Sequence, residues 1–255
     1  MTTAPKTVLV TGATAGFGTA IARRFIDEGH RVIATGRRED RLAALQAEFG
    51  ADRLLTLTVD ARDRKAVEAA FTALPAPFAE VDVLVNNAGL ALGLGPAPDA
   101  DLDDWEVMVD TNVKGLLYAT RLLLPGMVAR NRGHIVMLGS TAAEWPYPGG
   151  HVYGATKAFV HQFALNLRAD LVGSNVRVTD IQPGLCGGTE FSNIRFKGDD
   201  AKAAAMYAGT QPLTAEDIAE AVYWVTNLPK HVNINTVQMM PTCQANGPLA
   251  VKREG

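Results

Sequence analysis

The stretch Thr11-Gly12-Ala13-Thr14-Ala15-Gly16-Phe17-Gly18 joins a short β-branched run to a helical pattern near the start of the chain. Its glycines, spaced G-x-x-x-G-x-G, permit a tight turn and a close approach of the backbone to a ligand. The helix that follows points free N–H groups and a positive dipole end at this turn, which suits a pyrophosphate. A plain strand-to-helix turn is the alternative, since a glycine pattern alone is weak. The place of the turn between a strand and an amphipathic helix favours a phosphate-binding site.

Strand-like and helical segments alternate along the rest of the chain. The predicted strands are 7–11, 31–36, 53–59, 83–86, 134–139, 176–181 and 235–240. The predicted helices, with apolar residues three to four positions apart, are 17–28, 38–49, 62–74, 101–130, 152–172 and 215–227. Thr214 and Asp217 form an N-cap arrangement for the last of these. The alternation predicts one α/β domain over residues 1–255: a doubly wound parallel sheet (a Rossmann fold) of about seven strands with helices on both faces.

The bulk properties exclude several classes of protein. The chain has 255 residues, 47% of them hydrophobic, and a formal net charge of -3, which gives no reason to expect nucleic acid or an anionic membrane as a partner. No stretch approaches the roughly 18 to 20 apolar residues that span a bilayer. The first residues enter a strand-like run directly, so we expect no signal peptide and a cytoplasmic location. Cys186 and Cys243 are too few for a disulfide framework, and we expect no metal site.

The end of the second predicted strand bears on the choice of dinucleotide. Sheets that bind NAD usually carry an Asp or Glu there, which accepts a hydrogen bond from the ribose 2′-hydroxyl. The sequence instead reads Ala34-Thr35-Gly36-Arg37-Arg38, without a carboxylate. Two guanidinium groups suit a 2′-phosphate, although one of them could simply be solvated at a helix start. We therefore predict NADP(H), with Arg37 on the phosphate and Arg38 stacking on the adenine or starting the next helix.

Tyr153 and Lys157 stand four residues apart in the run Tyr153-Gly154-Ala155-Thr156-Lys157, which places them on one face of a helix. A free tyrosine has a pKa near 10 and is a poor acid or base at neutral pH. A nearby lysine charge favours the phenolate, so we expect Lys157 to lower the pKa of Tyr153 towards the working range. A surface tyrosine with a chance lysine one turn away is the alternative.

Taken together, these motifs resemble the short-chain dehydrogenase/reductase family over nearly the whole chain. They occur in the order and at the spacing of that family. The matching positions are the turn 11–18, Asp60, 86–89, Asn112, Ser140, Tyr153, Lys157 and Pro183-Gly184. The resemblance implies an oxidoreductase in which the cofactor carries the hydride and the protein supplies placement and charge.

The resemblance also assigns catalytic roles. Tyr153 is the expected general acid/base, and Lys157 lowers its pKa and holds the nicotinamide ribose. Ser140 is expected to orient the substrate oxygen, and Asn112 to hold a water that links Lys157 to solvent.

The same resemblance implies the cofactor contacts. Asp60 is expected near the adenine amino group, 87–89 to line the groove mainly through backbone, and Thr189 to lie near the carboxamide. The full predicted cofactor site is Gly12, Thr14, Ala15, Gly16, Phe17, Gly18, Arg37, Arg38, Asp60, Ala61, Asn87, Ala88, Gly89, Tyr153, Lys157, Pro183, Gly184 and Thr189.

Two segments, 139–153 and 183–198, resemble the family's NADP-dependent 3-hydroxy acid dehydrogenases, which act on small acids. The second lies in a long connection, about 185–213, that we expect to cover the substrate. A carboxylate needs a cation or several N–H donors in a closing, partly dry site. We therefore expect Arg195 to bind the substrate anion, with Lys197 as a weaker candidate, while a solvated loop arginine is the alternative. Tyr147 is expected in the pocket beside Ser140 and Tyr153. His151 is more suited to loop packing, and Cys186 to packing, than to catalysis.

Several alternatives stay open at this point. A sulfonate is also a small anion, so reduction of sulfoacetaldehyde to isethionate competes with the 3-hydroxy acid reaction. A reductase of uncharged carbonyls would need a larger apolar covering loop, and a non-catalytic NADP-binding regulator would lack part of the catalytic set. The family resemblance also implies a homotetramer, assembled through helices 101–130 and 152–172 and the last strand.

Overall fold

The computed structural model describes residues 5–247, and within them seven strands form one parallel sheet. The strands are β1 (Thr7–Val10), β2 (Arg31–Gly36), β3 (Leu54–Thr58), β4 (Val83–Asn86), β5 (Gly133–Leu138), β6 (Val176–Pro183) and β7 (Thr236–Met239). Their order is β3-β2-β1-β4-β5-β6-β7. The order reverses between β1 and β4, the point where doubly wound sheets bind ligands beyond the carboxyl ends of their strands. The predicted fold is confirmed, while residues 1–4 and 248–255 of the predicted domain lie outside the described residues.

The helices lie close to their predicted positions, with two differences. They are α1 (Gly16–Asp27), α2 (Glu39–Phe49), α3 (Arg64–Thr72), α4 (Leu102–Val109), α5 (Gly115–Ala129), α6 (His151–Asp170), α7 (Phe191–Arg195), α8 (Asp200–Ala205) and α9 (Ala215–Asn227). The predicted helix 101–130 is divided by a π-helical turn, Asp110–Lys114. The predicted covering loop contains α7 and α8, which are too short for a helical period to show in the sequence.

Side chains at the helix starts explain two of these boundaries. The Asp63 carboxylate accepts hydrogen bonds from the Lys65 and Ala66 N–H groups and so caps α3. Thr214 and Asp217 form the predicted cap of α9 as a reciprocal pair, in which each side chain accepts from the backbone N–H of the other.

Apolar residues alternate along the strands and build a core on each face of the sheet. Val8 and Val10 pack with α1, α2 and α9 on one face. Leu9, between them, packs with α3, α5 and α6 on the other. Since helices cover both faces, the loops at the carboxyl ends of the strands are left to form a site.

None of the helices within residues 5–247 is long and apolar enough to cross a membrane. The same part of the chain holds no group of three or more His, Cys, Asp or Glu side chains that could bind a metal ion.

Candidate active site

A cavity of about 550 Å³ opens beyond the carboxyl ends of the central strands. Three of the predicted catalytic residues line it, namely Ser140, Tyr153 and Lys157. So do the predicted substrate residues Tyr147 and Arg195. Every predicted cofactor residue except Gly18 also lines it. The fold therefore brings together residues from positions 12 to 195 of the sequence.

The glycine turn has the shape of a backbone cradle. Gly12 and Gly16 have φ angles of 68° and 52°, in the left-handed region that favours glycine. Gly18 instead packs against the turn, where a Cβ atom would clash with the Gly12 carbonyl. Gly18 is thus a packing residue and does not face the cavity. With the start of α1 behind it, the turn fits a pyrophosphate.

The adenosine end of the cavity is rich in charge. Arg37 is exposed and lines the cavity. Arg38 is the N-cap residue of α2, and its guanidinium donates to the Thr14 hydroxyl at 3.1 and 3.2 Å. It also pairs with the Glu190 carboxylate at 2.6 Å, and Glu190 pairs in turn with Arg41 at 2.7 Å. Arg38 therefore starts α2, which is one of the two roles predicted for it. Its partners Thr14 and Glu190 were not predicted from the sequence.

Asp60 and Asn87 are fixed by hydrogen bonds at the edge of the groove. The Arg62 guanidinium bonds both carboxylate oxygens of Asp60, and this lowers the pKa of Asp60. The Asn87 side chain donates to the carbonyls of Thr11 and Gly12 at 2.8 and 3.1 Å. Asn87 was expected to act mainly through its backbone. Its side chain in fact supports the phosphate turn.

Tyr153 and Lys157 are the predicted catalytic pair, and burial decides the direction in which the pKa of Tyr153 shifts. Burial raises the pKa of Tyr153 to about 12, while the charge of Arg195 and a hydrogen bond with Ser140 act in the opposite direction. Lys157 lies with its Nζ 5.8 Å from the Tyr153 ring centre and donates to the Leu138 carbonyl at 2.6 Å. The pKa of Tyr153 therefore moves away from neutrality in this structure, and the influence of Lys157 on it stays a prediction. Burial dominates, and the cation that opposes it is Arg195.

Lys157 is itself buried, with 7% of its surface exposed. Burial lowers the pKa of Lys157 to about 8, and the charge of Asp180 acts to raise it. The ammonium of Lys157 is accordingly in a range where it can lose its proton near physiological pH.

Asn112 lies behind the cavity, in the π-helical turn between α4 and α5. Its amide nitrogen donates to the Leu90 carbonyl at 2.8 Å and to the Thr156 hydroxyl at 3.0 Å. Its amide oxygen accepts from the Leu90 N–H at 2.9 Å. The side chain thus ties the segment after β4 to α6. Single π-helical turns within α-helices are frequently found at functional sites. The water expected at Asn112 stays a prediction.

Arg195 lies on α7 with only 7% of its surface exposed. Its Nη2 donates to the Tyr147 hydroxyl at 2.7 Å, and its guanidinium carbon lies 5.2 Å from the ring centres of both Tyr153 and Phe191. Its Nε is buried and has no hydrogen-bond partner among the described residues. A buried N–H without a partner is costly, so this group is suited to a ligand anion.

The other candidates fall outside the reaction centre. Lys197 is exposed and pairs with Asp104 at 2.8 Å, so it is wrong as a second anion site. His151 packs on Trp105, 5.1 Å between ring centres, as loop packing requires. Cys186 lines the cavity, but burial raises the pKa of its thiol to about 12, which does not suit a nucleophile.

The covering segment, residues 185–213, is closed at its base and lies over the cavity. The backbones of Leu185 and Leu213 are hydrogen-bonded at 3.0 Å. Within the segment the hydroxyls of Ser192 and Tyr207 lie 2.6 Å apart. Phe191 packs edge-on against Tyr153, with ring centres 5.7 Å apart. The segment therefore covers Tyr153.

Comparison with known proteins identifies the family to which this chain belongs. The family described as short chain dehydrogenase matches residues 6–199, more than half of the chain. The chain belongs to the short-chain dehydrogenase family. The family expected from the motifs is thereby confirmed.

Individual relatives of this short-chain dehydrogenase are close over their full length. The NADP-dependent 3-hydroxy acid dehydrogenase YdfG of Salmonella typhi is 65% identical over 246 residues, which cover 96% of this chain and 99% of that protein. Sulfoacetaldehyde reductase 2 of Chromohalobacter salexigens is 53% identical, with coverage of 97% and 98%. The closed form of serine dehydrogenase complexed with NADP+ superposes with a TM-score of 0.93 at 62% identity, covering 97% of this chain and 100% of that one.

Three residues at the site were missed by sequence reasoning. Glu190 and Phe191 are in a stretch that the sequence marks as important, but nothing in it shows which groups they contact. Asp180 is on β6, where an acidic residue in an otherwise buried strand is a signal that could have been noticed.

Proposed function

We propose that this short-chain dehydrogenase interconverts a small anionic aldehyde or ketone and the corresponding 3-hydroxy acid, with NADP(H) as cofactor. The observation that carries the substrate class is the buried guanidinium of Arg195. Its Nε has no partner among the described residues, although Nη2 is fixed by Tyr147 at 2.7 Å. An anion in the cavity would satisfy it with a charge-assisted hydrogen bond.

The residues around the cavity fit NADP(H). The Gly12–Gly18 turn suits the pyrophosphate, and no carboxylate stands at the end of β2 to accept a ribose 2′-hydroxyl. In this proposal Arg37 binds the 2′-phosphate, and Arg38 starts α2 beside it. Lys157 is placed to hold the nicotinamide ribose, and Thr189 to contact the carboxamide. The names of the YdfG and serine dehydrogenase relatives, which include NADP, agree with this choice.

In the reductive direction the protein supplies a proton and holds the carbonyl. When bound, the nicotinamide supplies the hydride that adds to the carbonyl carbon. Tyr153 donates its phenolic proton to the carbonyl oxygen, which becomes the alcohol oxygen. The Ser140 hydroxyl orients that oxygen, and Lys157 stabilises the phenolate left behind. In the oxidative direction Tyr153 takes the hydroxyl proton.

A sulfonate is the second candidate anion, and one comparison favours it. The relative named sulfoacetaldehyde reductase 2 is 53% identical to this chain over nearly its full length. The guanidinium of Arg195 can bind either a carboxylate or a sulfonate, so the two differ in the fit of the neighbouring side chains. A reductase of uncharged carbonyls would leave the Arg195 Nε without a partner. A non-catalytic regulator would not be expected to retain Ser140, Tyr153 and Lys157 around one cavity.

We also place this enzyme in the cytoplasm as a homotetramer. The α6 side chains Phe159 and Phe163 stack on each other, and Phe159 is 38% exposed. Val128 at the end of α5 and Val172 just after α6 are exposed as well. Such apolar groups on neighbouring helices suit burial against another subunit. Light scattering is expected to give roughly four times the 27.1 kDa of one chain, and a concentration-independent monomer would contradict this.

The first experiment measures initial rates with NADPH and NADH against malonic semialdehyde, sulfoacetaldehyde and an uncharged aldehyde of matched size. A strong NADPH preference, with one anion leading by about tenfold or more in kcat/KM, about 1.4 kcal/mol at the transition state, is the expected result. Equal or better turnover of the uncharged aldehyde would contradict the proposal that the substrate is an anion. No turnover of any carbonyl would remove the enzymatic function itself.

A further inference from the structure

A buried carboxylate lies behind the catalytic strand end and has no part in the mechanism above. Asp180, on β6, has none of its surface exposed. Its Oδ2 lies 2.9 Å from His161 Nδ1 and accepts from Gln182 Nε2 at 2.8 Å. Its Oδ1 is buried without a hydrogen-bond partner among the described residues. A carboxylate in such a place is costly unless a nearby charge balances it.

Asp180 and Lys157 contact successive residues of one strand. Lys157 Nζ donates to the carbonyl of Leu138, the last residue of β5. The next residue, Gly139, lies so close to Asp180 Oδ1 that a Cβ atom at this position would clash with the carboxylate. Ser140 follows directly. The carboxylate is therefore packed against the chain that connects the Lys157 ammonium to the catalytic serine.

Helix α6 connects the two groups from the other side. Lys157 and His161 are four residues apart and share one face of the helix. Lys157 reaches β5, and His161 reaches Asp180 on β6. Gln182 holds Asp180 from its own strand and accepts at 3.2 Å from Gln238 of β7. Each element packed around Asp180 thus contributes to its position.

We propose that Asp180 is a positioning residue for Lys157, whose ammonium it balances with a buried negative charge held by His161 and Gln182. The inference rests on the proposed function, in which Lys157 acts in the reaction. Asp180 does not touch the substrate in this scheme and acts through Lys157.

The charges around the two groups agree with this role. Burial lowers the pKa of Lys157, and the opposing influence on it is the charge of Asp180. Burial raises the pKa of Asp180, which His161, Gln182 and Lys157 act to lower. Tyr153, on the same helix, is a second titratable group near Lys157, with its ring centre 5.8 Å from the Lys157 Nζ. On the β7 side of Asp180, Gln238 also bonds Glu144 at 3.3 Å.

The test measures the titration of Lys157 directly, without a substrate. Competitive acetylation with acetic anhydride over pH 6 to 11, followed by mass spectrometry of the peptide that contains Lys157, gives its pKa in the full chain. Asp180→Asn removes the charge and keeps the shape. His161→Gln perturbs the same hydrogen-bond network and leaves the charge in place. Asp180→Ser is a second uncharged variant, and circular dichroism shows which of the two variants fold. One folded uncharged variant is enough to test whether Asp180 affects the pKa of Lys157.

We expect the pKa of Lys157 to fall by about one unit in the uncharged variants, as loss of a nearby opposite charge requires, and to stay in His161→Gln. An unchanged pKa in the uncharged variants, or an equal shift in His161→Gln, would overturn the inference and leave Asp180 a structural residue.

A second readout separates this inference from the proposed function. The pH dependence of kcat/KM for carbonyl reduction is measured on the same variants. The pH at which kcat/KM falls on the alkaline side is expected to shift together with the pKa of Lys157. If the pKa moves and this pH does not, Asp180 still balances Lys157, but the role of Lys157 in the proposed reaction fails.

Discussion

The guanidinium carbon of Arg195 lies 5.2 Å from the ring centre of Tyr153, where burial raises the pKa of the tyrosine and the charge of Arg195 opposes that rise. One cation therefore faces both the general acid and the proposed position of the substrate anion. When an anion pairs with Arg195, its charge offsets the effect of the cation on Tyr153. Anion binding is then expected to keep Tyr153 protonated, as a proton donor for carbonyl reduction must be.

Replacing Arg195 with alanine is expected to impair reduction of anionic aldehydes selectively. The loss of a buried charge pair should cost roughly 2 to 5 kcal/mol in kcat/KM. An uncharged aldehyde should be affected far less. Parallel kinetics with both substrates check this, with Lys197→Ala as the matched control, since Lys197 is exposed and paired with Asp104. Equal losses for charged and uncharged substrates would show that Arg195 acts on the fold or on Tyr153 alone.

Tyr153→Phe should abolish most turnover and leave cofactor binding intact. Removal of a general acid lowers kcat by about 10²- to 10⁴-fold. NADPH fluorescence titration measures binding separately from the reaction. Tyr223→Phe is the control, because that hydroxyl bonds Glu28, away from the cavity. A Tyr153→Phe protein with near-normal kcat would require a different proton donor.

Arg37→Ala is expected to weaken NADPH and spare NADH. A hydrogen bond to a charged group contributes about 1.5 to 3 kcal/mol, so the Kd for NADPH should rise roughly tenfold to a hundredfold. NADH lacks the 2′-phosphate and serves as the control ligand in the same titration. If both dinucleotides weaken equally, Arg37 supports the groove in general and does not select the phosphate.

The rate of carbonyl reduction is expected to fall as the pH rises through about 8, where Lys157 loses its proton. Its pKa in the folded chain is below the ordinary value of 10.5, so from pH 8 to 10.5 the unfolded chain binds more protons at this residue. This lysine therefore makes stability rise with pH over that range, while activity falls. A pH series of kcat/KM with parallel denaturant unfolding measures both. A loss of activity that follows the loss of folded protein would contradict the assignment.

The parts of the site that depend on one strand–turn–helix unit could be predicted from the sequence. Sequence spacing within such a unit fixes where its side chains lie. This is why the positions of the glycine turn, Ser140 and the Tyr153–Lys157 pair could be predicted. Arg195 could be predicted as a cation in a covering segment, although its burial could not. The sequence also offers Lys197 as a weaker candidate, and only the folded chain shows that Lys197 pairs with Asp104.

The remaining features depend on contacts between distant positions. Arg38 and Glu190 are 152 residues apart, so no local pattern connects them. The π-turn at Asn112 inserts one extra residue into a helical period, which the apolar spacing does not reveal. The rise in the pKa of Tyr153 could not be predicted, because the sequence shows a neighbouring lysine and does not show the burial that raises this pKa.

The covering segment also has a kinetic consequence. Thr189 packs on Gly16 of the phosphate turn, and Glu190 joins the segment to α2, so the dinucleotide groove is closed by the same segment that completes the substrate pocket. We therefore expect NADPH to bind first and the carbonyl compound to follow it. Catalysis should be sequential and ordered, with NADP+ leaving last. Product inhibition by NADP+ should then be competitive towards NADPH and noncompetitive towards the carbonyl compound.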